Sequence, residues 1–348
     1  MKAHWPAFML CVASALCAAP GVHAQTGADF YRGKTIRLSV GTSPGGINDI
    51  SARLMARHMG KFIPGAPSFN VQNMPGAGGI IGANRLAHSV DKDGTEIAIL
   101  ERAVAQFAIA GDKNAKFDPL TLTWLGSLSS YGDDAYMMLV MAKHPAITAE
   151  DLRKPGMKVV MGSNRAGSTN VIFALLAKQV LGMNVDVITG YGGAAKIALA
   201  MQSGEVDGQV IGLSAFQAGQ KNMWDDKLVR PLVVFGRTTR HPEMPDIPTG
   251  RELALSEDGR KLLEFSELPF FMALPFVGPP NMDAGRTNIL RKAFMDVAKD
   301  KALLEEANRL ALDISPIDHI AIDKLLREAK QTPEKVMGEF RTLMGGAF

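Results

Sequence analysis

Short runs of alternating apolar and polar positions recur along the first half of this chain, and each run breaks into small residues before a longer period begins. Ile36 to Val40 alternates with a period of two and reads as a strand, and beyond a Gly/Pro turn Ile50, Leu54 and Met55 fall at helical spacing. That pattern predicts a helix over 50–60 with Asn48 or Asp49 as its N-cap. Ser68 to Gln72, the loop 73–79 and an apolar period over 80–87 repeat the plan; Glu96 to Leu100 reads as a third strand after the Asp93-Gly94 turn. Strands alternating with helices indicate a parallel, helix-covered sheet.

From Leu122 onward the pattern passes through Trp124-Leu125-Gly126 into the apolar run Ala135 to Met141, which reads as the crossing into a second lobe. Lys158 to Met161 is a strand, 162–168 a third small-residue loop, and Val171, Leu175, Leu176 and Val180 mark a helix. Strands at 185–188, around Val210 and at 229–235 follow, with a helix over 194–203 between the first two. Prolines every few residues make 240–249 an extended surface connector. Amphipathic helices over 287–297, 301–310 and 320–328, and a last one after Pro333, close the chain.

The strand, small-residue loop and helix start thus occurs three times. A helix start presents unpaired N–H groups and the positive end of the peptide dipoles, so such a loop receives an anion without a cationic side chain. In an open α/β sheet these loops gather at the carboxyl ends of the strands, and two lobes set them face to face across a cleft. None of the three loops offers an acid–base pair. Donors without catalysts point to capture of an anion, most simply a carboxylate.

Composition narrows this further. The chain has 348 residues, 47% hydrophobic and 21% charged, enough for one large or two modest domains. Residues 1–24 form a separate segment: a lone Lys2, an apolar run from Phe8 to Ala19, and Val22-His23-Ala24 as a small-x-small cleavage pattern. The alternative, an N-terminal anchor, needs a run of about 18 or more apolar residues. Both cysteines, Cys11 and Cys17, lie in this segment, so the expected mature chain from Gln25 has no thiol for a disulfide, a nucleophile or a thiolate metal site. A net charge of +3 and 7% aromatics give no basic, aromatic-rich surface for nucleic acid. The densest late apolar run, Leu268 to Val277, is short and broken by Pro269 and Pro275, which leaves no second apolar span.

Several enzyme-like patterns have blander explanations. Gly41-Thr42-Ser43-Pro44-Gly45 satisfies the G-x-S-x-G nucleophile elbow, with His241, Asp246 and His319 as candidate partners, but Pro44 removes the N–H that would serve as oxyanion donor. Gly76-Ala77-Gly78 with Gly82 approaches a dinucleotide fingerprint, yet its last glycine comes one position late and on the second strand. The seven histidines show no metal-ligand spacing, and the 19 methionines suit an adaptable core.

At these residues the chain resembles the Bug-type (TctC-like) periplasmic solute receptors of tripartite tricarboxylate transporters. The resemblance runs through Lys34-Thr35-Ile36-Arg37, Pro44-Gly45-Gly46-Ile47-Asn48-Asp49, Asn73-Met74-Pro75-Gly76-Ala77-Gly78-Gly79 and Asp93-Gly94-Thr95. It continues through Tyr191-Gly192-Gly193, Gly204-Glu205-Val206-Asp207, and Arg240 with Met244-Pro245-Asp246-Ile247-Pro248-Thr249. It implies an α/β fold of the two-lobed periplasmic binding protein class (type II, Venus flytrap), with a mixed, mostly parallel sheet in each lobe. Signal peptide 1–24 would precede lobe 1, made of 25–128 and 236–348, with 129–235 as lobe 2.

By position the resemblance implies ligand contacts at Thr42, Ser43, Gly45, Gly46, Ala77 and Gly78 in one lobe. Ser163, Gly167, Ser168, Thr169 and Tyr191 would face them, with Asp207 near the cleft. Thr42 stands where an aromatic residue is common, Met74 where Arg is usual, and a second-lobe His is missing from Gly167-Ser168-Thr169-Asn170. Arg165 adds a cation to that loop, and with the smaller Thr42 favours a larger or more anionic solute. The expectation is a periplasmic, monomeric receptor without catalytic residues, metal or cofactor, which binds a small carboxylate and hands it to membrane permease subunits. An exported serine hydrolase using Ser43, or a receptor used for signalling, are the alternatives.

Overall fold

The alternation at 36–40 forms a strand with neighbours on both sides, and the sheet built around it carries the first two small-residue loops. The computed structural model describes Met1 and residues 30–164 and 167–345. Apart from Met1, the segment 1–24 with both cysteines lies outside the described residues, as does Arg165.

In chain order the strands among the described residues are β1 (Thr35–Val40), β2 (Ser68–Asn73), β3 (Glu96–Ile99), β4 (Thr123–Ser127), β5 (Tyr136–Met141), β6 (Val159–Gly162), β7 (Val185–Ile188), β8 (Gly208–Gly212), β9 (Val229–Phe235), β10 (Pro275–Gly278) and β11 (Ile317–Asp318). They form two sheets, β11-β4-β10-β3-β1-β2 and β7-β6-β8-β5-β9. In the first, β1 pairs in parallel with β2 and β3, whereas β10 runs antiparallel to β3 and β4, and β11 antiparallel to β4. In the second, β6 is parallel to β7 and β8, and β5 alone is reversed. Most strands of each sheet therefore point one way, and the loops leaving β1, β2 and β3, like those leaving β6 and β7, emerge at a common end.

Side-chain periodicity explains the packing. Ile36, Leu38 and Val40 of β1 are fully buried with Phe276 and Phe294 in one core, and Met137, Leu139, Ile197 and Met201 fill another against the second sheet. The largest core runs from Trp124 and Val277 of the first sheet to Met138 and Val210 of the second, so apolar packing continues between the sheets. Helix Ile80–His88 is fastened to β3 by Arg85, whose Nη1 and Nη2 both engage Glu96, the latter at 3.0 Å.

The chain passes between the sheets at 128–135 and returns after β9. Arg237 ties the two passages together: its Nη1 donates to the carbonyls of Tyr131, Gly132 and Asp134 at 3.1, 2.8 and 2.8 Å. Ser315 joins the same junction, its hydroxyl accepting from the amides of Ser130 and Gly132 at 2.9 and 3.1 Å.

One expectation needs correction. The first helix spans Ile47–His58 with Gly46 at its N-cap; Asn48 and Asp49 lie inside the first turn, because Asn48 Nδ2 donates to the Leu100 carbonyl at 3.0 Å and Asp49 turns back to the loop. The run Leu268 to Val277 hides the end of a 15-residue helix, Glu257–Phe271, and the start of β10. Pro269 inside that helix obscured it in the apolar pattern. Among the described residues no helix is long and apolar enough to cross a membrane.

Candidate functional site

The loops after β1, β2 and β3 converge. A methyl group placed on Gly41 would lie 3.4 Å from the Gly79 Cα and 3.8 Å from the Glu101 amide, and one on Gly79 would lie 3.2 Å from the Glu101 Cβ. Ala77, Gly78 and Gly79 all hold positive φ, at 45°, 63° and 95°. For Ala77 this left-handed conformation is uncommon, and the exposed turn it makes presents backbone rather than side chain.

The first loop is held from within. Asp49 Oδ2 accepts the Gly45 amide at 2.9 Å and the Arg53 Nε at 3.1 Å, while Asn73 Nδ2 donates to Asp49 Oδ1 at 3.0 Å and to the Thr42 carbonyl at 3.1 Å. Burial by itself would raise the Asp49 carboxyl, but the hydrogen bonds from Arg53, Gly45 and Asn73 outweigh it and hold it below the usual carboxylate range. The helix start is therefore already served by an internal carboxylate, and the Gly45 amide is engaged rather than offered. Ser43 and Gly46 are exposed. Among the described residues no hydrogen bond joins Ser43 to a histidine; the His241 ring instead accepts the Glu243 amide of its own loop at 3.2 Å.

On the second sheet, the loops after β6 and β7 cross-link through backbone: Gly190 N donates to the Asn164 carbonyl and Tyr191 N to the Ser163 carbonyl. Ser168 Oγ donates to Asn170 Oδ1 at 2.6 Å just as helix Thr169–Gln179 begins. Thr42 Oγ1 on the first loop and Ser163 Oγ and Asn164 Oδ1 on the loop after β6 are buried without a hydrogen-bond partner, as are atoms elsewhere in the fold such as Ser51 Oγ and Gln209 Nε2. Tyr191 donates its hydroxyl to Glu205 at 2.6 Å, and that bond is the chief cause raising its phenol to about 12. Asp207 sits just before β8, level with Val160, where its Oδ2 accepts the Val160 amide at 2.8 Å. Its carboxylate completes the β6–β8 pairing away from the ends where the loops gather.

Between the walls lies a cavity of about 90 Å³. Gly167 and Thr169 line it from the second sheet's side; among the described residues the other candidate positions do not. Opposite stand Glu101 and Arg102, which the sequence reading passed over although they leave the carboxyl end of β3 as the other loops leave β1 and β2. Glu101 Oε2 accepts the Ala103 amide at 2.8 Å, and burial pushes this carboxyl up against the pull of Arg102. Arg102 lies over the Phe270 ring at 4.9 Å, and its Nη1 approaches the Tyr131 hydroxyl at 3.4 Å. A larger groove of about 520 Å³ around Arg251, Lys261 and Leu325 contains none of the loop residues. Among the described residues no group of three or more His, Cys, Asp or Glu is placed to hold a metal.

The described geometry has relatives. The family model described as tripartite tricarboxylate transporter family receptor matches residues 52–337. BugT of Bordetella pertussis is 26% identical over 309 residues, covering 85% of this chain and 86% of that protein. A TctC solute-binding protein from Polaromonas, solved without ligand, superposes with a TM-score of 0.70 at 18% identity, over 89% of this chain and 99% of that one. Rpa4515 of R. palustris, solved with adipate, gives 0.55 at 19% identity, over 90% and 98%. At these identities the structures establish the fold, a two-lobed periplasmic binding protein.

Proposed function

This chain belongs to the tripartite tricarboxylate transporter receptor family, and we propose that it captures a small carboxylate between its two sheets and delivers it to a membrane transporter of the tripartite tricarboxylate kind. The observation that carries this reading is the cavity at the strand ends, where Arg102 faces Gly167 and Thr169 across the space between the sheets. Rpa4515, a protein of the same fold, was solved with adipate, which supports a carboxylate as the ligand class.

In this reading residues 25–128 with 236–348 form one lobe and 129–235 the other, and they close by bending where Arg237 spans the two passages. Thr42, Ser43, Gly46, Ala77 and Gly78 form the rim on one side and Ser163, Ser168 and Tyr191 on the other, while Arg165, expected from the resemblance to join them, lies outside the described residues. Gly45 supports its loop through Asp49, and Asp207 supports β6. The protein works in the periplasm as a monomer after cleavage near Ala24. Mass spectrometry of small molecules released from the purified, denatured protein tests the class: a carboxylate is expected, and recovery of only a neutral sugar or a metal would sink it.

A further inference from the structure

Among the described residues Arg102 is the sole cation lining the cavity. Its contact with the Tyr131 hydroxyl is long, and among the described residues no carboxylate makes an ion pair with it. Glu101 turns its carboxylate to the Ala103 amide instead. Two other polar groups in the lining are already used: Gln106 Nε2 donates to the Phe265 carbonyl at 2.6 Å and Ser266 Oγ to the Leu262 carbonyl at 2.7 Å. Much of the remaining wall is apolar, with Phe107, Ile172, Phe173 and Phe270 among it.

These facts select a ligand. A cation in a sheltered cavity, with the Glu101 carboxyl in the same wall but no ion pair made to it, favours an anion over water. Its place over the Phe270 ring, 4.9 Å from the centroid, holds the guanidinium at the cavity, where its N–H groups suit a two-point grip on a carboxylate. A second carboxylate on the same ligand would find no second cation among the described lining residues, would share the wall with the Glu101 carboxyl and would be stripped of water against Ile172 and Phe107.

Resting on the carboxylate-receptor reading, we infer that this cavity takes a monocarboxylate with a compact apolar body, aryl or branched alkyl. Its carboxylate lies on Arg102 and its body against Phe107, Ile172 and Phe270, and it is preferred over dicarboxylates. Arg102 then sets specificity through a side chain, in addition to what the loop backbones supply.

The test is titration calorimetry of the purified protein with benzoate and isovalerate against adipate and malate. At least one of the monocarboxylates should bind at least tenfold more tightly than either dicarboxylate. Arg102→Gln should weaken that binding at least tenfold, and Arg102→Lys should restore part of it by returning the charge without the planar grip. Dicarboxylates binding as tightly as the monocarboxylates would overturn the inference, as would unchanged monocarboxylate affinity in a folded Arg102→Gln protein; both leave the carboxylate-receptor reading standing. Should Arg102→Gln fail to fold, the preference of the unaltered protein decides. Failure of all four to bind would overturn the inference, while the released-ligand measurement judges the receptor reading separately.

Discussion

Gln106 donates from Nε2 to the Phe265 carbonyl at 2.6 Å, and that is the carbonyl which Pro269, four residues on and without an N–H, leaves unpaired inside helix Glu257–Phe271. A side chain from the helix after β3 thus repairs a backbone defect in a helix far along the chain. Pro269 and Gln106 both line the cavity between the sheets.

Replacing Gln106 by Leu should strand the buried carbonyl and lower stability by about 1–3 kcal/mol. Pro269→Ala in the same chain should return much of that loss, since the new N–H can close the helical bond. Urea unfolding of the single and double variants measures it, and simple additivity of the two changes would refute the pairing.

Gly79→Ala should cost about 2–4 kcal/mol, combining left-handed strain with overpacking. Its methyl would meet Val104 Cγ2 at 3.1 Å and Glu101 Cβ at 3.2 Å with φ at 95°. Gly78→Ala meets nothing within 4 Å at φ 63° and should lose only the strain, about 1–2 kcal/mol. Thermal unfolding of the two proteins compared side by side checks the difference.

Arg237→Lys should lower stability by about 1–2 kcal/mol although it keeps the charge. Nη1 serves three carbonyls of the first passage while Nε donates to the Thr239 carbonyl at 3.3 Å, and a single ammonium nitrogen cannot occupy both places. Calorimetric unfolding gives the loss; equal stability of the two proteins would show that the junction needs only a positive charge.

Asp49→Asn should destabilise by about 1–2 kcal/mol at neutral pH, and the deficit should fade in acid. The folded carboxyl is held below its ordinary value, so its contribution is fully present above the unfolded pKa near 3.9 and is lost as pH falls through the lower folded value. Denaturant midpoints at pH 7, 4 and 3 should converge between the two proteins, and a gap that is constant with pH would contradict the ionic role.

Much of this architecture was legible in the residues. Strands at 185–188 and 229–235 and the helix at 194–203 fall where the periodicity places them, because alternation and helical spacing are imposed locally by which face meets the core. The small-residue loops were equally plain, since only such sequences accept the φ values found at 76–79. What each loop does with its donors was not plain. Gly45 looked like an offered amide until Asp49 was seen to hold it.

The sequence by itself determined the two-sheet α/β plan, the three loops at strand ends and the family, all carried by patterns a few residues long. Tertiary structure alone decided that Arg102 stands over Phe270, that Arg237 binds the two passages, and that helix Glu257–Phe271 survives its proline with help from Gln106. Those partners lie 159 residues apart for Gln106 and Phe265 and 106 for Arg237 and Tyr131. No local period encodes such a meeting, which depends on how the finished sheets and helices pack.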